Sequence, residues 1–245
     1  MTHLFHKVGR KQKKHHFASK SGSSGSENMD LVFGNEILEL IAERAAWMKS
    51  QRVFIVADLH FGKVNHFRRA GLPVPLAANQ RNAERLIDCI NKLKPLRTIF
   101  LGDLFHSVYN DDWEVVGQIV TNYPGCRFEL IRGNHDVLSE QQYHRHGIEV
   151  KEWEQIGVFL LTHKPMDFEN IPSGAVNIAG HIHPAARLVG KGRQSLTFPC
   201  FWVSENRIVV PAFGSFTGLA VVRPQEKDQV FIIVENKILA IPPDH

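Results

Sequence analysis

The sequence predicts an α/β protein in which two mixed β-sheets pack face to face with flanking helices. Three observations lead there. Short apolar runs rich in Val, Ile and Phe recur along the chain, and in its first two thirds they alternate with segments of helical period. In the last third the helical segments stop, and turn-forming sequences join the runs instead. Strands alternating with helices make a parallel sheet covered on its faces, whereas strands joined by short polar turns make antiparallel hairpins.

The elements follow in order. Residues 1–28 have no period that would bury a face and include a Ser/Gly stretch from Ser19 to Ser26, so a disordered leader is expected. From Met29 to the end no linker or internal repeat interrupts the pattern, which makes residues 29–245 one domain. Residues 53–56 form the first strand. Over 75–94, Leu76, Ala83, Leu86, Ile87, Ile90 and Leu93 recur at three- and four-residue steps, an amphipathic helix that Pro95 stops. Residues 99–101 are the second strand, and Asp112 can cap a helix whose Trp113, Val116 and Val120 share a face. Residues 128–131 are the third strand, with Asp136 read as the cap of a helix starting near Val137. Residues 158–161 and 176–179 are the fourth and fifth. The runs 187–190, 194–203, 207–212, 220–222, 230–234 and 238–240 then read as hairpin strands, separated by turns such as Gly190-Lys191-Gly192, Ser204-Glu205-Asn206 and Glu235-Asn236-Lys237.

Composition narrows the function classes. With 43% hydrophobic and 22% charged residues, the 245-residue chain is of ordinary globular make-up. It has neither an apolar run long enough to span a membrane nor the apolar core of a secretory signal at its start, so no membrane partner and a cytoplasmic location are expected. Cys89, Cys126 and Cys200 are odd in number and far apart, which fits buried free thiols rather than disulfides or a thiolate zinc site. The net charge of +4 misleads, because Lys7, Arg10, Lys11, Lys13, Lys14 and Lys20 all lie in the leader and the rest is close to neutral. A solvated tail is the plain reading of that leader and a phosphate-attracting arm the alternative.

The chemistry lies where the five strands end. The first runs into Asp58-Leu59-His60, the second into Gly102-Asp103, the third into Gly133-Asn134-His135-Asp136, the fourth into Thr162-His163 and the fifth into Gly180-His181-Ile182-His183. Side chains from several loops converge at the carboxyl edge of such sheets. Two carboxylates, an amide oxygen and several imidazoles, with no thiolate, suit borderline divalent ions such as Mn, Fe or Zn. Eight candidates exceed what one ion needs and would serve two ions sharing a carboxylate, the recurring device for hydrolysing phosphate esters. Gly102, Gly133 and Gly180 allow tight turns beside the ions. Each motif alone is weak; five in this order, each after an apolar run, agree on one reading.

These residues resemble the calcineurin-like metallophosphoesterase superfamily, whose fold is two mixed sheets flanked by helices. A narrower likeness rests on Ala57-Asp58-Leu59-His60-Phe61-Gly62-Lys63, Phe67-Arg68, Gly71-Leu72-Pro73-Val74-Pro75, Gly102-Asp103-Leu104-Phe105-His106-Ser107, Pro199-Cys200-Phe201-Trp202 and Pro211-Ala212-Phe213-Gly214. Together these resemble the ligase-associated DNA damage response endonuclease (PdeM) family over residues 29–239. The resemblance implies that Asp58, His60 and His183 hold one ion, that Asn134, His163 and His181 hold a second, and that Asp103 bridges them. It implies that His135 protonates the leaving group while a metal-bridged hydroxide attacks phosphorus. Two divalent ions, Mn2+ first and Fe, Zn or Ni as alternatives, are the implied cofactors.

Lys63 and Arg68 are candidate contacts for a substrate phosphate, and His106 a candidate partner orienting a ligand. His66, His144 and His146 belong to no motif and are read as solvated. The function expected is a binuclear phosphodiesterase on nucleic acid or nucleotide diesters, with the family likeness favouring a DNA endonuclease in DNA repair, associated with a DNA ligase or helicase. A 2′,3′-cyclic nucleotide phosphodiesterase is the alternative. A non-catalytic scaffold on the same fold is a weaker one, since every ligand and His135 are retained. The near-neutral body argues against tight duplex binding, which needs cations aligned on one face.

Overall fold

The structure, a computed structural model, describes residues 25–63, 77–106, 109–110, 112–190, 194–215 and 217–242. The chain opens with an antiparallel meander of β1 (Asn28–Phe33), β2 (Glu36–Ile41) and β3 (Ala45–Met48), which continues antiparallel into β4 (Val53–Val56). From β4 the chain passes through α1 (Ala77–Leu93) to β5 (Arg97–Phe100), through α2 (Asp112–Thr121) to β6 (Arg127–Ile131) and through α3 (Glu140–Arg145) to β7 (Ile148–Lys151). Strands β4 to β7 are parallel and lie side by side in sequence order, so the first sheet is seven-stranded and mixed.

The second sheet has nine strands. They are β8 (Glu154–Ile156), β9 (Phe159–Leu161), β10 (Val176–Ala179), β11 (Pro184–Val189), β12 (Ser195–Val203), β13 (Arg207–Val209), β14 (Ala220–Val221), β15 (Gln229–Val234) and β16 (Lys237–Ile241). Parallel pairs β9–β10 and β10–β13 sit at its centre, and antiparallel hairpins β11–β12 and β15–β16 extend it. The β15–β16 turn is Glu235-Asn236 with both residues at positive φ, the two-residue geometry that matches strand twist.

Three apolar layers hold the sheets. Between them lie Leu31, Phe33, Ile55, Ile99, Phe159, Ile178, Phe201 and Phe231 from both inner faces. On the outer face of the first sheet, Ala83, Leu86 and Ile90 of α1, Trp113, Val116 and Val120 of α2 and Tyr143 of α3 pack on Phe54, Phe100, Phe128 and Leu130. All three described α-helices therefore flank the same sheet. The outer face of the second carries Cys200, Val230 and Ile232, with Leu188, Phe198, Trp202 and Leu239 around them. No described helix is long and apolar enough to cross a membrane.

Several expectations shift. The sequence reading assigned no strand before residue 53, yet Met29, Leu31 and Phe33 alternate inward and Gly34-Asn35 turns the first hairpin. Pairing begins before Met29, because Ser26 bridges Ile238 and the Glu27 carbonyl accepts the Ala42 N–H. Residues 1–24 of the leader lie outside the described residues, as do Pro75 and Leu76 at the helix start. Asp112 is not the cap of α2: Asn110 takes the Asp112 N–H on its Oδ1 at 3.0 Å and the Trp113 N–H on its carbonyl at 2.9 Å. His146 is not solvated, since its ring lies 5.2 Å from that of Trp113, whereas His144 is exposed and His66 lies outside the described residues. Burial pushes the Cys89 and Cys200 thiols up to about 12, while Cys126 is only half-buried, 3.2 Å from Thr98 Oγ1.

Candidate metal centre

The carboxyl ends of β4, β5 and β6 from the first sheet and of β9 and β10 from the second meet at one edge of the sandwich, and the loops leaving them are laced together. Beyond β4 and β5 the ladder continues through His60 N–H to the Asp103 carbonyl at 2.9 Å and Phe61 N–H to the Leu104 carbonyl at 2.9 Å. The second sheet is tied in by Phe213 N–H to the Ala57 carbonyl at 2.8 Å and His181 N–H to Asp58 Oδ2 at 2.8 Å. Leu59, Phe61, Leu104 and Phe105 anchor the loops in the helical layer, so the polar residues between them face the opposite way.

That alternation is bought with backbone strain. Asp58, His60, Asp103, His181 and His183 all adopt left-handed φ, between 49° and 69°. Non-glycine residues avoid this region at a cost on the order of 1–3 kcal/mol each, and such residues gather at functional sites. The glycines matter differently from expectation. A Cβ on Gly102 would overlap the His163 ring and one on Gly133 the Asp103 side chain and amide, so the missing side chains make room for ligands rather than for ions.

The candidate donors form two groups. Asp58, His60 and His183 present donor atoms within 4.8 Å of one another, as do Asp103, His163 and His181. In the first, His60 Nε2 lies 3.3 Å from His183 Nε2, and His183 Nε2 lies 3.7 Å from Asp58 Oδ1. In the second, His163 Nε2 is 3.1 Å from His181 Nδ1 and 3.1 Å from Asn134 Oδ1, which adds Asn134 to that group. Asp103 stands between them, with Oδ2 3.7 Å from His60 Nε2 and Oδ1 3.5 Å from His163 Nε2.

These spacings and the donor chemistry fit divalent cations. Donors about 2.1 Å from an ion stand about 3.0 Å apart in an octahedral shell and about 3.4 Å apart in a tetrahedral one. Asp58 Oδ1 is buried with no hydrogen-bond partner, while Oδ2 accepts the His181 N–H at 2.8 Å; a buried carboxylate oxygen left that way is costly unless a cation faces it. Two of the four candidate histidines use the far ring nitrogen as metal histidines do: His163 Nδ1 donates to the Leu101 carbonyl at 2.8 Å and His183 Nδ1 to the Gly218 carbonyl at 3.1 Å, whereas His60 Nδ1 is buried without a partner. In the neutral tautomer that these bonds select, Nε2 carries the lone pair. Burial pushes the His60 imidazolium pKa down to about 2 and lowers that of His181, which keeps both rings neutral.

His135 lies beside the groups without joining either, its side chain 43% exposed and Nε2 4.0 Å from Asp103 Oδ2. His106 packs against it with ring centroids 4.0 Å apart, and lies 5.2 Å from the His60 ring. Lys63 is half-buried; burial lowers its pKa while Asp103 and Asp58 pull the other way. Arg68 lies outside the described residues.

Three buried polar residues escaped the sequence reading of the site. Asp136 caps no helix, since α3 starts at Glu140 after Ser139, whose N–H bonds Gln142 Oε1 at 3.0 Å. Instead it accepts amides of both the Asp103 and Asn134 loops. Asn177 braces the His163 loop, taking the Met166 N–H at 2.9 Å and donating to Thr162 Oγ1 at 2.8 Å. A polar residue inside the apolar run 176–179 was the signal for it. Asn82 of α1 accepts the Ser215 N–H at 3.0 Å and hydroxyl at 2.8 Å, and Arg85 donates to the Phe213 carbonyl. Together they press residues 213–215 onto the Asp58 loop, where Gly214 N–H meets the Asp58 carbonyl at 3.1 Å.

Comparisons with known proteins add to this geometry. Residues 51–184, more than half of the chain, match the model of the calcineurin-like phosphoesterase family. The chain is similar to the Pseudomonas putida nuclease MPE, at a TM-score of 0.72 and 25% identity, over 87% of this chain and 100% of that one. It is more distantly similar to the phosphoesterase Yfce from E. coli, at a TM-score of 0.42 and 14% identity over 77% of this chain and 97% of that one. A protein of unknown function from Aquifex aeolicus, AQ665, gives a TM-score of 0.38 and 20% identity over 54% of this chain and 78% of that one. No curated protein matches the chain.

Proposed function

Because the chain belongs to the calcineurin-like phosphoesterase family and is a metal-dependent phosphoesterase, we propose that it is a two-metal phosphodiesterase that cleaves DNA. The observation that carries the two-metal part is the carboxylate of Asp103, with one oxygen toward each group of donors. The DNA part is supported by the likeness to the Pseudomonas putida nuclease. The manganese preference, the repair setting, the ligase or helicase association and the cytoplasmic location rest on the sequence reading.

Two bound divalent ions would acidify a water to serve as nucleophile and offset charge on the phosphoryl oxygens. Asp58, His60 and His183 would hold one, Asn134, His163 and His181 the other, and Asp103 would serve both. His135, reachable from solvent and next to Asp103, gives its Nε2 proton to the departing oxygen. Lys63 steadies a non-bridging phosphate oxygen, and His106 restricts the movement of the His135 ring through their tilted contact, 4.0 Å between centroids.

Metal-stripped protein resupplied separately with Mn, Ni, Zn, Fe or Mg tests the reading on bis-p-nitrophenyl phosphate, p-nitrophenyl phosphate, plasmid DNA and 2′,3′-cyclic nucleotides. The expected result is metal-dependent diester cleavage, strongest with Mn, together with plasmid nicking. Turnover of cyclic nucleotides without nicking would replace DNA by a small diester. No turnover of any substrate despite bound ions would overturn the enzymatic assignment altogether.

A further inference from the structure

We infer that Asp136 is a positioning residue that locks the Asp103 and Asn134 loops together and so sets the separation of the two ion sites. The inference rests on the two-metal reading above. Asp136 is 4% exposed, and among the described residues no cationic side chain pairs with it. Its charge is met by the backbone of the two ligand loops. Oδ2 accepts the N–H of Asp103 and the N–H of Gly133, each at 2.8 Å, and Oδ1 accepts the N–H of Phe105 at 3.2 Å and the Tyr143 hydroxyl at 3.4 Å. Four donors converge on one side chain, and only an ionised carboxylate offers that many acceptor sites with no donor of its own.

The arrangement closes on itself. Asp136 holds the Asp103 amide, and Asp103 Oδ1 in turn accepts the His135 N–H at 2.9 Å, so each loop's carboxylate grips the other loop's backbone. Gly133 sits between them with no room for a side chain against Asp103. Asp103 is one of the residues at left-handed φ, at 50°, and the Asp136 bond satisfies the amide that this conformation turns out of the ladder. Tyr143 fixes the far side of the clamp: it is fully buried and its ring packs 5.1 Å from that of Trp113. A carboxylate confined to helix capping would reach forward to amides of its own helix. Asp136 reaches back 33 residues instead.

Replacing Asp136 by Asn turns one acceptor into an NH2 group facing donors, which frees the Asp103 loop to shift relative to Asn134. Outer partners of metal ligands cost about 10- to 100-fold in metal affinity when altered, and that loss is expected for the second Mn2+ ion taken up. The test is Mn2+ titration calorimetry and low-temperature electron paramagnetic resonance on metal-stripped native protein, Asp136→Asn and Tyr143→Phe. Thermal unfolding in chelator identifies variants that are folded. The native protein should show a spin-coupled Mn pair, and Asp136→Asn should bind the second ion more weakly and lose or alter the coupling. Tyr143→Phe should do so to a smaller degree. A coupled native pair with native affinity and coupling in Asp136→Asn overturns the positioning role alone. An uncoupled native protein brings down the two-metal reading and this inference together. If Asp136→Asn does not fold, Tyr143→Phe decides, and unchanged coupling there counts against the inference.

Discussion

At the scale of single residues, the proposed roles divide between donors that would hold ions and His135, which would move a proton. His135 stands in neither donor group, with Nε2 4.0 Å from Asp103 Oδ2, and it is the most exposed of the histidines paired with Asp103. His135→Ala should therefore retain full Mn2+ content while losing about 10²–10⁴ in rate on nucleoside or alkyl esters. The loss on p-nitrophenyl esters should be much smaller, because that leaving group departs without a proton; equal losses on both would remove the proton-donor role. The ligand types were legible in the sequence because a polar residue following an apolar strand run has few reasons to be there. Asp136 was misread because an aspartate two residues after Asn134 suits a helix cap as well as a clamp. Only the position of α3, starting at Glu140, tells the two apart.

At the scale of elements, helix α1 supports the site from behind through a contact that sequence separation conceals. Asn82 and Ser215 are 133 residues apart, and no local pattern pairs them. Asn82→Ala removes the two bonds from the exposed Ser215 to the buried Asn82 side chain, so unfolding in urea should show a loss of about 0.5–1.5 kcal/mol. A stability equal to that of the native protein would mean that residues 213–215 are held by other contacts. Strands β4, β5, β6, β9 and β10 were legible as apolar runs, since a strand buried on both faces needs no polar alternation, whereas β7 and β8, short and mostly polar, were not assigned. Nor were β1 and β2, which mix Asp30, Glu36 and Glu39 with their apolar residues, or the four-residue apolar β3. The hairpin turn Gly34-Asn35 was the available clue.

For the whole molecule, the question is what keeps two sheets in one relative position, since the candidate donors come from both. The shared apolar layer supplies attraction without direction. Direction comes from a buried carboxylate, Glu129 of β6, which bonds Arg97 of β5 at 2.7 Å and Lys151 of β7 at 2.8 Å; both cations also reach Glu154 of β8 in the other sheet, at 2.9 and 2.8 Å. Glu129→Ala leaves those cations short of charge, and chemical denaturation should register a loss of about 3 kcal/mol, at the low end for a broken buried pair because Arg97 and Lys151 keep some contact with water. An unchanged midpoint would show the network to be dispensable. The sequence by itself determined the fold class, the order of the main strands, the flanking helices and the donor types, because hydrophobic period and strand-end chemistry are local properties. Tertiary structure alone decided how far apart those donors stand, that Asp136 joins loops instead of capping a helix, and that Asn82 braces the Asp58 loop. Each of these depends on contacts between distant segments, and a distance between side chains is set by how sheets pack, which no local pattern encodes.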